Sequence, residues 1–190
     1  MKRTLFLFGL FFLSPVSAAE LHGVQIDDRT QLSAGGPELV LNGIGVRKIL
    51  FVKVYVAALY LPQKSSNAES ILGSNAPRRV AMTLMRDVSA KQFTEALMEG
   101  LQDNHSPQEL ERNKAPIDEL VALMMSLNEV KKGDVVRVDY LPELGTRVQV
   151  NGETRGKPIP GPDLYRMLLR VWLGENPVDA GLKQGMLGAG

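Results

Sequence analysis

The stretch Leu41-Asn-Gly-Ile-Gly-Val-Arg-Lys-Ile-Leu-Phe-Val-Lys-Val-Tyr-Val-Ala-Ala-Leu-Tyr-Leu61 decides how this chain is read. It joins a glycine-spaced segment bearing Arg47 to a long run of β-branched, aromatic and aliphatic residues. Glycine allows positive φ or the close approach of another backbone, so Gly43 and Gly45 predict a turn or a tight contact. The run Ile49 to Leu61, apolar on both faces and ended by Pro62, predicts a strand covered on both sides. Arg47 lies at the mouth of this apolar segment. A guanidinium there is costly unless an internal carboxylate or a ligand pairs with it.

Outward from this centre, Val24 to Leu32 and Leu39 to Val46 read as short strands around Ala34-Gly35-Gly36-Pro37. Ser66 to Glu69 has capping-box form before a short helix. Arg79 to Met85 is a further strand with Val80, Met82 and Leu84 on one face. Ser89 to Gln92 and Ser106 to Glu109 are two more capping boxes, the second with Pro107 at the first helical position. Pro116 opens a helix with a stripe of Leu120, Leu123, Met124 and Leu127. Val136, Val138 and Tyr140 alternate with charged residues, as in a half-exposed strand. Asn151-Gly152 is a strong hairpin signal. Asp163 caps a final helix from Leu164 to Leu173, closed by Gly174 and Pro177. Strands, then helices, then a hairpin and a helix predict one α+β domain.

The N-terminus reads as an export signal. Lys2 and Arg3 precede an apolar stretch from Thr4 to Leu13, and Pro15 and the small residues Ser17, Ala18 and Ala19 suit cleavage. The alternative is an uncleaved anchor. Cleavage after Ala18 or Ala19 is expected, giving a signal peptide at 1–19, a domain at 20–190 and a periplasmic or secreted protein with no membrane span after cleavage. No Cys follows the apolar stretch, so the signal is not of the lipoprotein kind.

Composition narrows the chemistry. The chain has 22 basic and 21 acidic residues, a balance that advertises neither a nucleic-acid partner nor an anionic membrane surface. Cys is absent, which excludes disulfides, thiolate metal sites and Cys nucleophiles. The 2 histidines, His22 and His105, supply a metal site or a catalytic triad poorly. No metal or cofactor is expected.

The segments GVR and FVKVYVAALYL, the helix start SAKQFTEALMEGL, the hairpin centre VNGE and the ending LLRVWLGENPVDAGLKQGML resemble the chalcone isomerase family, over Leu21 to the C-terminus. The likeness is to the signal-bearing, chalcone isomerase-like proteins of bacteria. It implies an open-faced β-sandwich in which an antiparallel sheet is covered by a helical layer. In that family the arginine of GVR lies in the ligand cleft. It holds a carboxylate in the fatty-acid-binding members and faces the phenolic oxygen of the chalcone in the isomerases. Arg47 stands at that position.

The other isomerase positions do not carry over. The plant enzyme's strand Thr falls at Tyr55, its helix Tyr and Asn at Phe93 and Gly100, and its last-helix Thr at Val171. Phe93 has no hydroxyl and Gly100 no side chain, so efficient chalcone cyclisation is not expected. Tyr55 and Tyr60 point to opposite faces of their strand. Tyr55 either lines the cleft or is an ordinary core tyrosine. Asn104, one turn beyond Gly100, either replaces the missing amide or caps its helix. The ligand-binding candidates are therefore Arg47, Tyr55, Phe93 and Asn104, and there is no catalytic set.

His105 reads as a solvated linker residue and Arg86-Asp87 as a local ion pair. Met124, Met125 and Met167 read as helix-core spacers, Lys131-Lys132 as a solvated turn and Trp172 as core. Two main classes remain. One is a module binding a fatty acid or similar small amphipathic carboxylate. The other is an isomerase or intramolecular lyase on an unknown, phenolic substrate. A third reading is an envelope protein that makes only a protein contact.

Overall fold

The computed structural model describes residues 18–188; the signal read at the N-terminus lies, for its first 17 residues, outside the described part. In chain order the elements are β1 (Ala18–Leu21), β2 (Val24–Asp27), β3 (Arg29–Gln31), β4 (Glu38–Ile49), β5 (Val52–Leu61), α1 (Ala68–Gly73), β6 (Arg78–Leu84) and β7 (Val88–Ser89). There follow α2 (Ala90–Asn104), α3 (Pro107–Arg112), α4 (Lys114–Met125), β8 (Glu129–Val130), β9 (Val135–Leu141), β10 (Gly145–Val150), β11 (Glu153–Ile159), α5 (Asp163–Leu173) and α6 (Ala180–Met186).

Seven strands form one antiparallel sheet in the order β11-β10-β9-β6-β5-β4-β3. One face carries the helices. Leu59, Val80 and Met82 meet Leu101, Leu120, Leu169 and Leu182 there in the main core. The other face holds a smaller cluster of Val56, Ala58 and Tyr60 with Leu39, Leu41 and Ile26, under the β1–β2 hairpin. β5 is buried from Val54 to Leu61 because both its faces are covered. The expected α+β architecture, an antiparallel sheet under a helical layer, is the one observed. Tyr55 and Tyr60 fall in different clusters, on opposite faces.

Several expectations are corrected. Gly43 and Gly45 are not in a turn but within β4, where α6 lies on them. A Cβ on Gly43 would stand 2.2 Å from the Gly185 carbonyl oxygen and one on Gly45 2.7 Å from that of Leu182. The run from Ile49 to Leu61 is not one strand, because Leu50 and Phe51 form a two-residue turn between β4 and β5. The segment from Val24 to Leu32 breaks at Asp28, whose carbonyl accepts from Leu41 N at 2.8 Å. The first cap is Asn67 rather than Ser66, and α6 was not foreseen.

β9 is not half-exposed. Asp139 is fully buried and held by Arg79 (Nε–Oδ1 2.6 Å, Nη2–Oδ2 2.9 Å) and Arg147 (Nη2–Oδ2 2.6 Å). Arg79 also donates to Thr30 Oγ1 at 2.6 Å, which ties β3 to this network. Met125 is 46 % exposed and is no core spacer. The capping boxes at Ser89 and Ser106 form with both reciprocal bonds. Asn151 and Gly152 turn the β10–β11 hairpin with φ of +53° and +85°.

Candidate functional site

Arg47 sits in β4 directly opposite Tyr55 of β5, and the register shifts immediately after it, between Arg47 and Lys48. That irregularity re-aims the side chain. Beneath the pair, between sheet and helices, lies a narrow slot of about 60 Å³. Met82, Val136 and Val148 of the sheet form its floor, Phe93 and Leu97 of α2 one wall, and Met124 of α4 and Trp172 of α5 the others. A mouth of about 170 Å³ adjoins it, lined by Arg47, Tyr55, Phe93, Gln92, Arg86 and Ile49. Slot and mouth share Arg47, Tyr55, Phe93 and Ala96, so Arg47 stands where polar opening meets apolar interior.

The guanidinium of Arg47 is half-buried and its Nε is buried without a hydrogen-bond partner. None of the ion pairs among the described residues includes it. Its Cζ lies 5.9 Å from the centroid of the Tyr55 ring, a cation–π contact. The nearby Asp179 carboxylate is taken: Oδ2 accepts from Lys48 N at 3.0 Å and Oδ1 from Leu182 N at 2.9 Å, capping α6. Of the two partners open to Arg47 on sequence grounds, an internal carboxylate is therefore not seen among the described residues.

Tyr55 is buried, and its hydroxyl accepts from Trp172 Nε1 at 2.9 Å. Burial pushes the phenol's pKa up, opposed by the Arg47 charge and the Trp172 bond. It is thus a neutral phenol whose own proton remains to be donated. Arg47 and Tyr55 together can meet a planar anion: a fixed cation and a neutral O–H donor above an apolar slot. The Trp172 contact was missed because indole N–H groups of core tryptophans have no sequence signature for their partner.

The remaining candidates divide. Phe93 lines both slot and mouth. Asn104 does not join them. Its Nδ2 donates to the carbonyls of Gly100 (2.9 Å) and Asn176 (2.7 Å), and its Oδ1 accepts from Asn176 N (3.1 Å). It fastens the end of α2 to the loop after α5. That loop borders a larger concavity, an open groove of about 800 Å³ near Asn104, Arg170 and Lys183. We place the candidate site at the smaller slot, where an unpaired charge stands between a polar mouth and an apolar interior. Gly100 leaves no room for an amide, since a Cβ there would meet Val171 Cγ1 at 2.6 Å.

Arg86 is the mouth residue that sequence reading misassigned. It makes no ion pair with Asp87; its Nε donates to the Asp87 carbonyl at 3.4 Å, while the Asp87 carboxylate accepts from Lys132 N at 2.8 Å. His105 is not solvated but 8 % exposed, with Nδ1 at 2.9 Å from the Leu101 carbonyl oxygen.

Comparison with known proteins bears on the fold and the lineage. The profile of a family described as chalcone isomerase-like matches residues 18–188. No curated protein matches the sequence. Among solved structures, a fatty-acid binding protein of Arabidopsis thaliana superposes with a TM-score of 0.71 at 14 % identity, covering 90 % of this chain and 96 % of that one. At that identity the likeness shows a shared fold.

Proposed function

This chain belongs to the chalcone isomerase-like family, and from that premise we propose that its cleft binds a fatty acid or similar small amphipathic carboxylate, with Arg47 as the head-group clamp. The observation that carries the reading is the half-buried Arg47 guanidinium, without an ion-pair partner among the described residues, at the top of an apolar slot. A charge so placed is stabilised when an anion arrives with its own apolar tail. Tyr55 donates the second hydrogen bond to the carboxylate, and the tail runs down between Phe93, Leu97 and Met124. The plant fold relative named as a fatty-acid binding protein supports the ligand class. The N-terminal pattern supports export with cleavage after Ala18 or Ala19.

Efficient chalcone cyclisation is not part of this proposal. Phe93 offers no hydroxyl, and the Gly100 position is closed by Val171. Oriented donors of that kind commonly supply several kcal/mol in such reactions.

The test uses three proteins: wild type, Arg47→Ala and Arg47→Lys. Fatty-acid titration should show Arg47→Ala weakened by about 1.5–3 kcal/mol, the worth of a charge-assisted hydrogen bond, or roughly ten- to a hundredfold. Arg47→Lys should recover part, since a point charge cannot make two parallel bonds. Melting temperature should hold across the set, because no internal carboxylate is stranded. Unchanged affinity together with a large fall in melting temperature would make Arg47 a structural residue and defeat the clamp.

A further inference from the structure

Beside the mouth of the cleft, four consecutive apolar residues stand in water. Ile49, Leu50, Phe51 and Val52 are 51 %, 87 %, 98 % and 49 % exposed. The hairpin register places Ile49 opposite Val52, then Lys48 opposite Lys53, then Arg47 opposite Tyr55. From the tip inwards the order is an apolar cap, a pair of lysines and the cleft.

Each of these choices costs the isolated fold something. Leu50 holds a φ of +55° at the first position of a two-residue turn, where glycine is the usual residue. Two other two-residue hairpin turns among the described residues, His22-Gly23 and Asn151-Gly152, each place a glycine in the second position. Like charges directly opposite across two strands repel, and both Lys48 and Lys53 are exposed, with Lys53 Nζ 3.0 Å from His22 Nδ1. Exposed leucine and phenylalanine side by side form a small apolar patch without cover. An apolar phase bordered by negative charge would take up the exposed apolar side chains and offset the paired lysines at once.

We propose that the β4–β5 hairpin tip docks this protein on an anionic lipid surface, with Leu50 and Phe51 entering the headgroup–acyl boundary and Lys48 and Lys53 resting on lipid phosphates. The surroundings are basic as well. Exposed Arg86 follows Met85, whose N–H donates to the Val54 carbonyl at this end of the sheet. Exposed Lys131 and Lys132 are joined there through Asp87, and Asp87, Glu129 and Asp134 are the acids that offset Lys131.

A bilayer fits this tip better than a protein partner does. A convex tip of four residues falls far short of the roughly 800 Å² per side of a stable protein interface. Apolar side chains above a lysine collar, by contrast, are the pattern of membrane-surface contact. Docking stands independently of what the cleft binds, because Leu50 and Phe51 line neither the slot nor its mouth.

The experiment is co-sedimentation of the exported, signal-cleaved protein with phosphatidylcholine vesicles, with and without phosphatidylglycerol. Alongside it, F51W emission is recorded, the single native Trp172 being buried. The expected result is preferential binding to the anionic vesicles. L50S/F51S should lower partitioning by about tenfold or more, from the apolar burial lost. K48E/K53E should abolish the anionic preference, and F51W emission should shift to the blue on vesicles. Melting temperature and soluble fatty-acid affinity of L50S/F51S should match wild type. Equal vesicle binding by wild type and L50S/F51S, or unshifted F51W emission on vesicle-bound protein, would overturn the proposal. So would concentration-dependent self-association that L50S/F51S removes while vesicles are ignored, since that assigns the tip to a protein interface.

Discussion

His105 shows how much one side chain's setting matters. A carbonyl can only accept, so the bond to Leu101 O puts the proton on Nδ1 and leaves Nε2 as a buried lone pair without a partner. Burial holds the imidazole's pKa below its ordinary value of 6.5, opposed by the Leu101 bond. Arg170 adds to the depression and Glu109 opposes it. The unfolded chain therefore binds the proton more readily than the folded one. Stability from this group is fully present above about pH 6.5 and is lost as pH falls through that value toward the folded pKa. The melting temperature of wild type should drop more steeply between pH 7.5 and 5 than that of His105→Asn, which can keep a donor to Leu101 without titrating. Parallel pH profiles would show that His105 charges without penalty. The residues legible in the sequence are those whose place follows from neighbours a few positions away, even where their role is left between two readings. Arg47, Tyr55 and Phe93 sit in or beside an unmistakable apolar strand or helix stripe, and they do converge. Asp139 was illegible because its alternation with Val138 and Tyr140 is that of an outward-facing position. What buries it is Arg79 and Arg147 from neighbouring strands and Thr30 from β3, partners more than a hundred positions apart at the extremes.

Within the elements, local chemistry is legible in the sequence and tertiary override is not. The capping boxes at Ser89 and Ser106 and the Asn151-Gly152 turn depend on residues within a few positions of each other, and they formed. The turn at Leu50-Phe51 has none of the usual turn residues, so the sequence pattern there is that of a continuous strand. α6 escaped notice because it is short and glycine-bearing, a poor helix by propensity. It is held by its seat on β4: Gly43, Gly45 and Gly185 let the two backbones touch, and Asn42 Nδ2 donates to the Met186 carbonyl at 2.8 Å. Gly45→Ala should therefore cost about 1–3 kcal/mol, as overpacked contacts do, since its Cβ would meet backbone atoms of Leu182 rather than a yielding side-chain tip. Gly73→Ala is the matched control, with nothing within 4 Å of the added carbon. Urea denaturation of the two variants gives the comparison. Equal stability would mean that α6 shifts on β4 without cost and that the glycines are not what seats it.

For the whole molecule, the relation between slot and helical layer sets how a ligand enters. The slot holds about 60 Å³, whereas drug-sized ligands occupy pockets of roughly 300–1,000 Å³. An acyl chain can enter only if the helices part from the sheet. The walls suit this: Phe93, Leu97 and Leu127 are only partly buried, and Met124 is an adaptable side chain on α4. Part of the binding energy is then spent on opening, and affinity is lower than the contacts alone would give. Met124→Ala makes that room in advance. It should destabilise the free protein by about 2–5 kcal/mol, the usual range for such a truncation in a core. A long-chain fatty acid that fills the new space should return much of the loss. Ligand at a hundred times its dissociation constant stabilises any binder by about 2.7 kcal/mol, so a tighter complex shows as a larger thermal shift at fixed ligand concentration. The expected result is a rise in melting temperature with ligand that is greater for Met124→Ala than for wild type, and that grows with acyl length only in the variant. Equal shifts in the two proteins at every chain length would mean that the tail does not enter the slot between sheet and helices, and the cleft below Arg47 would have to be given up as the place where the apolar part of the ligand lies.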